Sequence, residues 1–162
     1  MMKAISKYGW SAYLLALTVV VIDQISKHAV LGLLGTQAGS SVPVAGPFSL
    51  TLVWNQGVSF GLFRADHDIV RWALTGFSLV VAILLAGWAR TAIRWPMALG
   101  LGLVMGGAIG NAIDRIRFGA VVDFLDFQRL GFFPWVFNVA DSAITIGVVF
   151  LLLDSTRKEA AA

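Results

Sequence analysis

Cysteine is absent from this chain of 162 residues, and histidine occurs only twice, as His28 and His67. The first absence excludes disulfides, thiolate metal sites, cysteine nucleophiles and lipid attachment to a cysteine of the chain itself. The second leaves too few imidazoles, too scattered, for a metal centre, so neither a metal nor another cofactor is expected. Charge is also scarce. Asp, Glu, Lys and Arg make up 13% of the chain against 58% apolar residues, where soluble domains carry about 25% charged residues. With a mean hydropathy of +0.82, the composition is that of a membrane protein. The net charge of +3 comes from basic residues gathered at segment boundaries, with no basic run interleaved with aromatics, so a nucleic-acid partner is not expected.

Four apolar segments are present, roughly Tyr8 to Leu34, Ile69 to Ala89, Pro96 to Ile113 and Val136 to Leu153. Each is close to the ~20 residues that a helix needs to cross a bilayer. The chain therefore reads as one membrane-embedded domain over 1–162, with no room for a separate soluble one. MMKAISKYGW and the apolar stretch after it imitate a secretory signal, but the run exceeds the ~7–15 residues of such a core and no small-residue cleavage site precedes Asp23, so a retained first span is expected. Lys3 and Lys7, Arg90 and Arg94, and Arg157 and Lys158 flank the spans on one side, which the positive-inside rule makes cytoplasmic, with both termini. The six other basic residues balance that count; acid placement agrees with the assignment, since only Asp154 and Glu159 of nine acids fall on the inner side.

The longest polar stretch, Gly35 to Asp68, opens with loop-forming residues and then alternates: Phe48, Leu50, Leu52 and Trp54 against Ser49, Thr51 and Val53. Asn55-Gln56-Gly57 supplies turn chemistry and Val58 to Phe63 resumes an extended run. A small β element over about 42–64 is expected on the outer face, its apolar side on the membrane surface.

Carboxylates beside or inside apolar spans are expensive, about 2.5–3.5 kcal/mol at a helix centre even on insertion scales, and point to function. Asp23 and Lys27 are one helical turn apart and placed to pair; the pair is either a self-neutralising structural feature or part of a substrate-organising network. Asn-x-x-Asp occurs twice, at Asn111/Asp114 and Asn138/Asp141, putting an amide and an acid on one face at the end of the third span and the start of the fourth. Polar caps are the simpler account, but Asp141 reads as lying several residues inside the fourth span. Gly106, Gly107 and Gly110 permit close helix approach. Arg115 can hold a phosphate or carbonyl oxygen, or snorkel to the interface. Two carboxyls in hydrogen-bond reach share one proton and so present a base and an acid together, an aspartic hydrolase arrangement. From the residues alone two pairs stand, Asp123 with Asp141 and Asp114 with Asp141. The apolar surroundings of Asp123 favour the first, and Arg115 and Arg117 beside Asp114 suit that acid to structure. A proton-coupled transporter is the competing class; the apolar middles of the second and fourth spans speak against it.

Five motifs, DQISK (Asp23 to Lys27), NQGVSFG (Asn55 to Gly61), GGAIGNAIDR (Gly106 to Arg115), VVDF (Val121 to Phe124) and FNVADS (Phe137 to Ser142), occur in an order that resembles the type II signal peptidases, the prolipoprotein signal peptidases of bacteria. The resemblance covers nearly the whole chain. It implies an integral inner-membrane protein of four transmembrane helices with a small extracytoplasmic β-sheet and a segment over the site. It also implies an aspartyl endopeptidase that cleaves on the amino side of a diacylglyceryl-modified cysteine. By motif, Asp123 and Asp141 are the catalytic pair, while Asp23, Lys27, Asn55, Gly57, Asn111, Asp114, Arg115, Asn138 and Ala140 line or support the substrate site. The expected partners are lipidated prolipoproteins and membrane phospholipids, for a monomer with its site near the outer face. Phe132, Phe133, Pro134 and Trp135 are placed either to gate the site or to anchor it at the interface.

Overall fold

The computed structural model describes residues 4–57 and 68–159. Four helices, α1 (Lys7–Leu34), α2 (Asp68–Ala89), α3 (Trp95–Phe118) and α4 (Val139–Glu159), accompany four strands, β1 (Ser41–Ala45), β2 (Phe48–Asn55), β3 (Val121–Asp126) and β4 (Val136–Phe137). All four helices are long and apolar enough to cross a membrane. The strands form one antiparallel sheet in the order β1-β2-β3-β4.

The helices are not equivalent. Of the most apolar stretch of α3, 72% of residues are buried, against 11% in α2, so α3 is the axis that the other three surround. Glycine makes this possible. Gly102, Gly106 and Gly110 recur every fourth residue facing α1, where an added Cβ would stand 2.7 Å from the Ala12 and Ala16 carbonyl oxygens and 2.6 Å from Asp23 Oδ2. Gly100 and Gly107 do the same towards α4, at Gly147 O and Ala140 O. Without a hydrophobic force between helices in lipid, such backbone proximity supplies much of the packing. The large apolar side chains of α1, α2 and α4, such as Leu14, Phe77 and Leu152, point outward, as lipid contact requires.

At one end of the bundle the α2–α3 link meets the start of α1: Ser6 N donates to Arg90 O and Ser6 Oγ to Ala92 O. Arg94 Nε reaches Asp154 Oδ1 of α4 at 3.0 Å there. The sheet occupies the opposite end. Leu52, Val122 and Phe124 pack on Val30, Leu31 and Leu34 of α1, so the apolar side of the sheet rests on a helix end, where a membrane surface was expected. The simple alternation expected along β2 is also broken. Leu50 pairs with Leu125 and Val53 with Asp123, which sets Thr51 and Leu52 together opposite Phe124 alone. This bulge turns Leu52 into the core and leaves Val53 and Asn55 on the side of Asp123.

Two span boundaries differ from the sequence reading. Helix α3 continues to Phe118, where Gly119 ends it in the left-handed region (φ 78°), so Asn111 and Asp114 lie within the helix. Helix α4 begins at Val139 because Val136–Phe137 pair with Asp126 and Leu125 as a strand. Asp141 is therefore in the first turn of α4, not several residues inside it. The extended run expected at 58–63 lies outside the described residues.

Candidate active site

The site forms where the sheet meets the bundle, with one acid from each. Asp123 lies on β3 and Asp141 on α4, and Asn138 touches both. Its Nδ2 donates to Asp123 Oδ1 at 2.6 Å. Its Oδ1 accepts from Asp141 N at 2.9 Å, and its own N donates to Asp141 Oδ2 at 3.4 Å. This reciprocal exchange is a capping box, so the cap expected for Asn138–Asp141 and the acid pair are the same structure. Asn55 Nδ2 donates to Asp123 Oδ2 at 3.0 Å, and Asn111 Nδ2 to Asp141 Oδ1 at 2.8 Å. Both carboxylates are thus held by amides. Among the described residues no lysine or arginine forms an ion pair with either.

The chemical consequence is clearest at Asp123, which is 2% exposed. Burial, then the neighbouring Asp141 carboxylate, push its carboxyl up to about 7; the Asn55 and Asn138 amides pull the other way. A carboxyl so placed holds or gives up a proton near neutral pH.

Asp23, Lys27 and Asp114 form a separate buried cluster. Lys27 Nζ lies 2.8 Å from Asp23 Oδ2 and 2.8 Å from Asp114 Oδ2. The cation beside Asp114 is therefore Lys27; the expected partners, Arg115 and Arg117, turn elsewhere. Arg115, buried, gives Nη2 to Gly57 O at 2.9 Å, so it holds a carbonyl oxygen and does not snorkel. Gly57 N in turn donates to Asn55 Oδ1 at 3.0 Å, which fixes the amide that faces Asp123. Exposed Arg117 reaches Gln24 Oε1 at 3.4 Å. Ala140, fully buried, gives its N–H to Asp23 Oδ1 at 3.0 Å. Asp126 stands apart, accepting from Thr51 Oγ1 and Gln128 N.

Sequence reasoning passed over Gln24. Its Nε2 reaches Asp114 Oδ1 at 2.9 Å, Asp23 Oδ2 at 3.2 Å and Gly110 O at 3.3 Å. Its place next to Asp23 in DQISK was the available signal. The spacing Gly102-x3-Gly106-x3-Gly110 was readable too, and only part of it was used.

Three hollows meet at Asn55. One of about 320 Å³ between α2, α3 and α4 ends on Asn111, Arg115 and Asp141. A second, of about 410 Å³, runs between α4 and the 133–137 segment and borders Asp141, Ser142 and Thr145. The third, about 400 Å³, contains Asp123 with Gln56, Gly57 and Gln128. Asp141 thus faces the two largely apolar hollows and Asp123 the polar one. An aromatic series, Phe48–Phe127–Phe137–Phe133–Trp135, with ring centroids 5.0–5.9 Å apart, backs the second, while Phe132 projects outward.

Comparison with known proteins identifies the family. The family model described as "Signal peptidase (SPase) II" matches residues 15–157. The chain is 55% identical over 157 residues to the lipoprotein signal peptidase of Caulobacter vibrioides, covering 96% of this chain and 92% of that one. It is 44% identical over 151 residues to that of Methylobacterium radiotolerans, covering 89% and 85%. A bacterial membrane enzyme solved at 2.3 Å superposes with a TM-score of 0.80 at 26% identity, covering 98% of this chain and 94% of that one. With four apolar helices, a sheet at one end and paired acids between them, the chain belongs to the signal peptidase II family, aspartic-type proteases that are multi-pass proteins of the bacterial inner membrane.

Proposed function

We propose that Asp123 and Asp141 together hydrolyse a peptide bond of a diacylglyceryl-modified prolipoprotein, on the amino side of the lipidated cysteine. The observation that carries this reading is Asn138, whose amide and backbone touch both carboxyls while, among the described residues, no lysine or arginine forms an ion pair with either. Near neutral pH the pair holds one proton. The charged member takes a proton from water as its oxygen bonds to the scissile carbonyl carbon, and the protonated member gives its proton to the carbonyl oxygen. The tetrahedral intermediate then collapses: the C–N bond breaks, the amine nitrogen takes a proton, and the pair returns to its starting state. Asn55, Asn111 and Asn138 hold both carboxyls throughout without adding charge. The polar hollow at Asp123 suits the water, and the apolar hollows at Asp141 suit lipid chains and a signal-peptide helix.

The same reading orients the protein. The α2–α3 link with Arg90 and Arg94 is cytoplasmic, as are both termini, and the sheet end with the acid pair faces outward. A diacylglyceryl anchor places the cleaved bond at that depth. The enzyme acts as a monomer among phospholipids, with no cofactor.

The test is cleavage of a diacylglyceryl-modified prolipoprotein by the purified protein, with an unlipidated substrate as control. Asp123→Asn and Asp141→Asn are each expected to lower the rate by ~10³-fold or more while remaining folded, and Asp126→Asn to cleave normally. Retained cleavage in either of the first two rejects the pair; cutting of the unlipidated substrate rejects the lipid requirement.

A further inference from the structure

Each aspartate of the pair follows a residue whose peptide N–H is held by a carboxylate of the buried cluster. Val122 N, one residue before Asp123, donates to Asp114 Oδ2 at 3.0 Å. Ala140 N, one residue before Asp141, donates to Asp23 Oδ1 at 3.0 Å. A single ammonium joins the two carboxylates, Lys27 Nζ at 2.8 Å from an oxygen of each. An ammonium has three N–H groups, and the third points to Asn111 Oδ1 at 3.3 Å. That contact leaves Asn111 Nδ2 facing Asp141. From one nitrogen, three short paths run to the pair: through Asp114 to β3, through Asp23 to α4, and through Asn111 to the Asp141 carboxyl.

Stability alone does not account for such a cluster. Asp23, Lys27 and Asp114 are each at most 2% exposed, and buried ion clusters are often matched or bettered by apolar side chains of similar volume. The glycine contacts of α3 already hold α1 in place. What apolar side chains do not supply is an acceptor for Val122 N and Ala140 N, and the latter lies in the first turn of α4, where backbone N–H groups have no partner within the helix. On the reading of Asp123 and Asp141 as the reacting pair, we propose that Lys27, held between Asp114 and Asp23, is a positioning residue that sets the separation of that pair through the Val122 and Ala140 N–H groups and the Asn111 amide.

Separation governs two observables. The rate of the chemical step falls steeply with misplacement, about 100-fold for 1 Å. The repulsion between the two carboxyls sets how far apart the two limbs of the pH–rate profile lie. Among the described residues, the charged groups around the pair are Asp23 and Lys27 from α1 and Asp114 and Arg115 from α3, with Arg71 of α2 behind, on the Arg115 carbonyl; β2 contributes the neutral Asn55.

The experiment compares Asp114→Ala and Asp23→Ala with Asp114→Asn and Asp23→Asn, which keep an oxygen acceptor, in the full-length protein in detergent. Thermal unfolding identifies the folded variants, and Asp126→Asn, on β3 but bonded to Thr51, is the control. The alanine variants are expected to lose ~100-fold or more in kcat with KM little changed and the two pH limbs drawn together. The asparagine variants should fall less than the alanine ones, with intermediate limbs. Folded alanine variants with wild-type kcat and limbs, or with only KM raised, overturn the proposal, as do asparagine variants as impaired as the alanine ones. Where the alanine variants do not fold, the asparagine variants decide: a lower kcat with converging limbs supports positioning, and wild-type values overturn it. Failure of the pair itself is read separately, as cleavage by Asp123→Asn or Asp141→Asn.

Discussion

Two pairs of aspartates share this fold and differ in what faces them. Asp23 and Asp114 hold an ammonium between them, with Gln24 and two backbone N–H groups also donating to their oxygens. Among the described residues, Asp123 and Asp141 meet only amides and a backbone N–H within hydrogen-bond reach. Residue type is alike, and three of the four are at most 2% exposed, Asp141 being half-buried. Counter-charge is the difference: Asp23 and Asp114 each form an ion pair with Lys27, whereas Asp123 and Asp141 are oriented by amides that add no charge. The asparagines at 55, 111 and 138 are therefore as informative as the acids, because a lysine or arginine in their place would convert the second pair into the first.

The comparison breaks most severely at Lys27. Lys27→Met leaves Asp23 and Asp114 buried without their cation and is expected to destabilise the protein by about 3–5 kcal/mol, read as a lower unfolding midpoint in detergent. Adding Asp23→Asn and Asp114→Asn to that variant should restore much of the midpoint. Full stability in Lys27→Met alone contradicts the account of the charged cluster.

A second change acts on α4 and leaves the Lys27–Asp114 bond in place. The Ala140 backbone carbonyl and Ile144 of α4 leave no room for a side chain at Gly107. Gly107→Ala is expected to displace α4 from α3, lowering stability by about 1–3 kcal/mol and lowering cleavage well beyond what the stability loss explains, while the Lys27–Asp114 bond persists. Normal activity with a lowered unfolding midpoint would separate helix packing from the geometry of the acid pair.

The mildest test is one of pH. With the Asp123 carboxyl at about 7, cleavage should decline above pH 7 as the pair loses its one proton. The Asn55 amide favours the charged form, so Asn55→Ala raises the Asp123 carboxyl further and should shift that alkaline limb upward, with activity at pH 6 reduced by roughly tenfold or less. A limb that stays in place or moves down removes Asn55 from the role of donor to Asp123.

Helices and motifs were legible in the sequence because apolar length and short spacings are local properties. Asp23 with Lys27 follows from one helical turn, and the amide–acid spacing at Asn138 and Asp141 from another. Local reasoning does not reach what the chain brings together over distance. Lys27 meets Asp114 across 87 residues, which displaced the sequence neighbours Arg115 and Arg117 as its partners. Val136–Phe137 read as the start of a span because they are apolar, and became a strand because β3 offered an edge. The bulge at Thr51–Leu52 is set by pairing with β3, and no periodicity along β2 announces it. The preference for Asp123 over Asp114 as partner of Asp141 came from resemblance, since the contact that links Asp123 to Asn138 reaches across to a strand.

The glycines of α3 have a consequence in conformational entropy. A helix that meets its neighbours through Gly100, Gly102, Gly106 and Gly107 contributes no side-chain rotamers of its own at those contacts. It also has no rotamer with which to absorb an error. Any added atom there must translate a whole helix, and the helices that yield, α1 and α4, carry Lys27 and Asp141. Variation at this interface is therefore felt at Lys27 and Asp141 as rigid-body movement, over a distance that a more conventional core of flexible side chains would have damped.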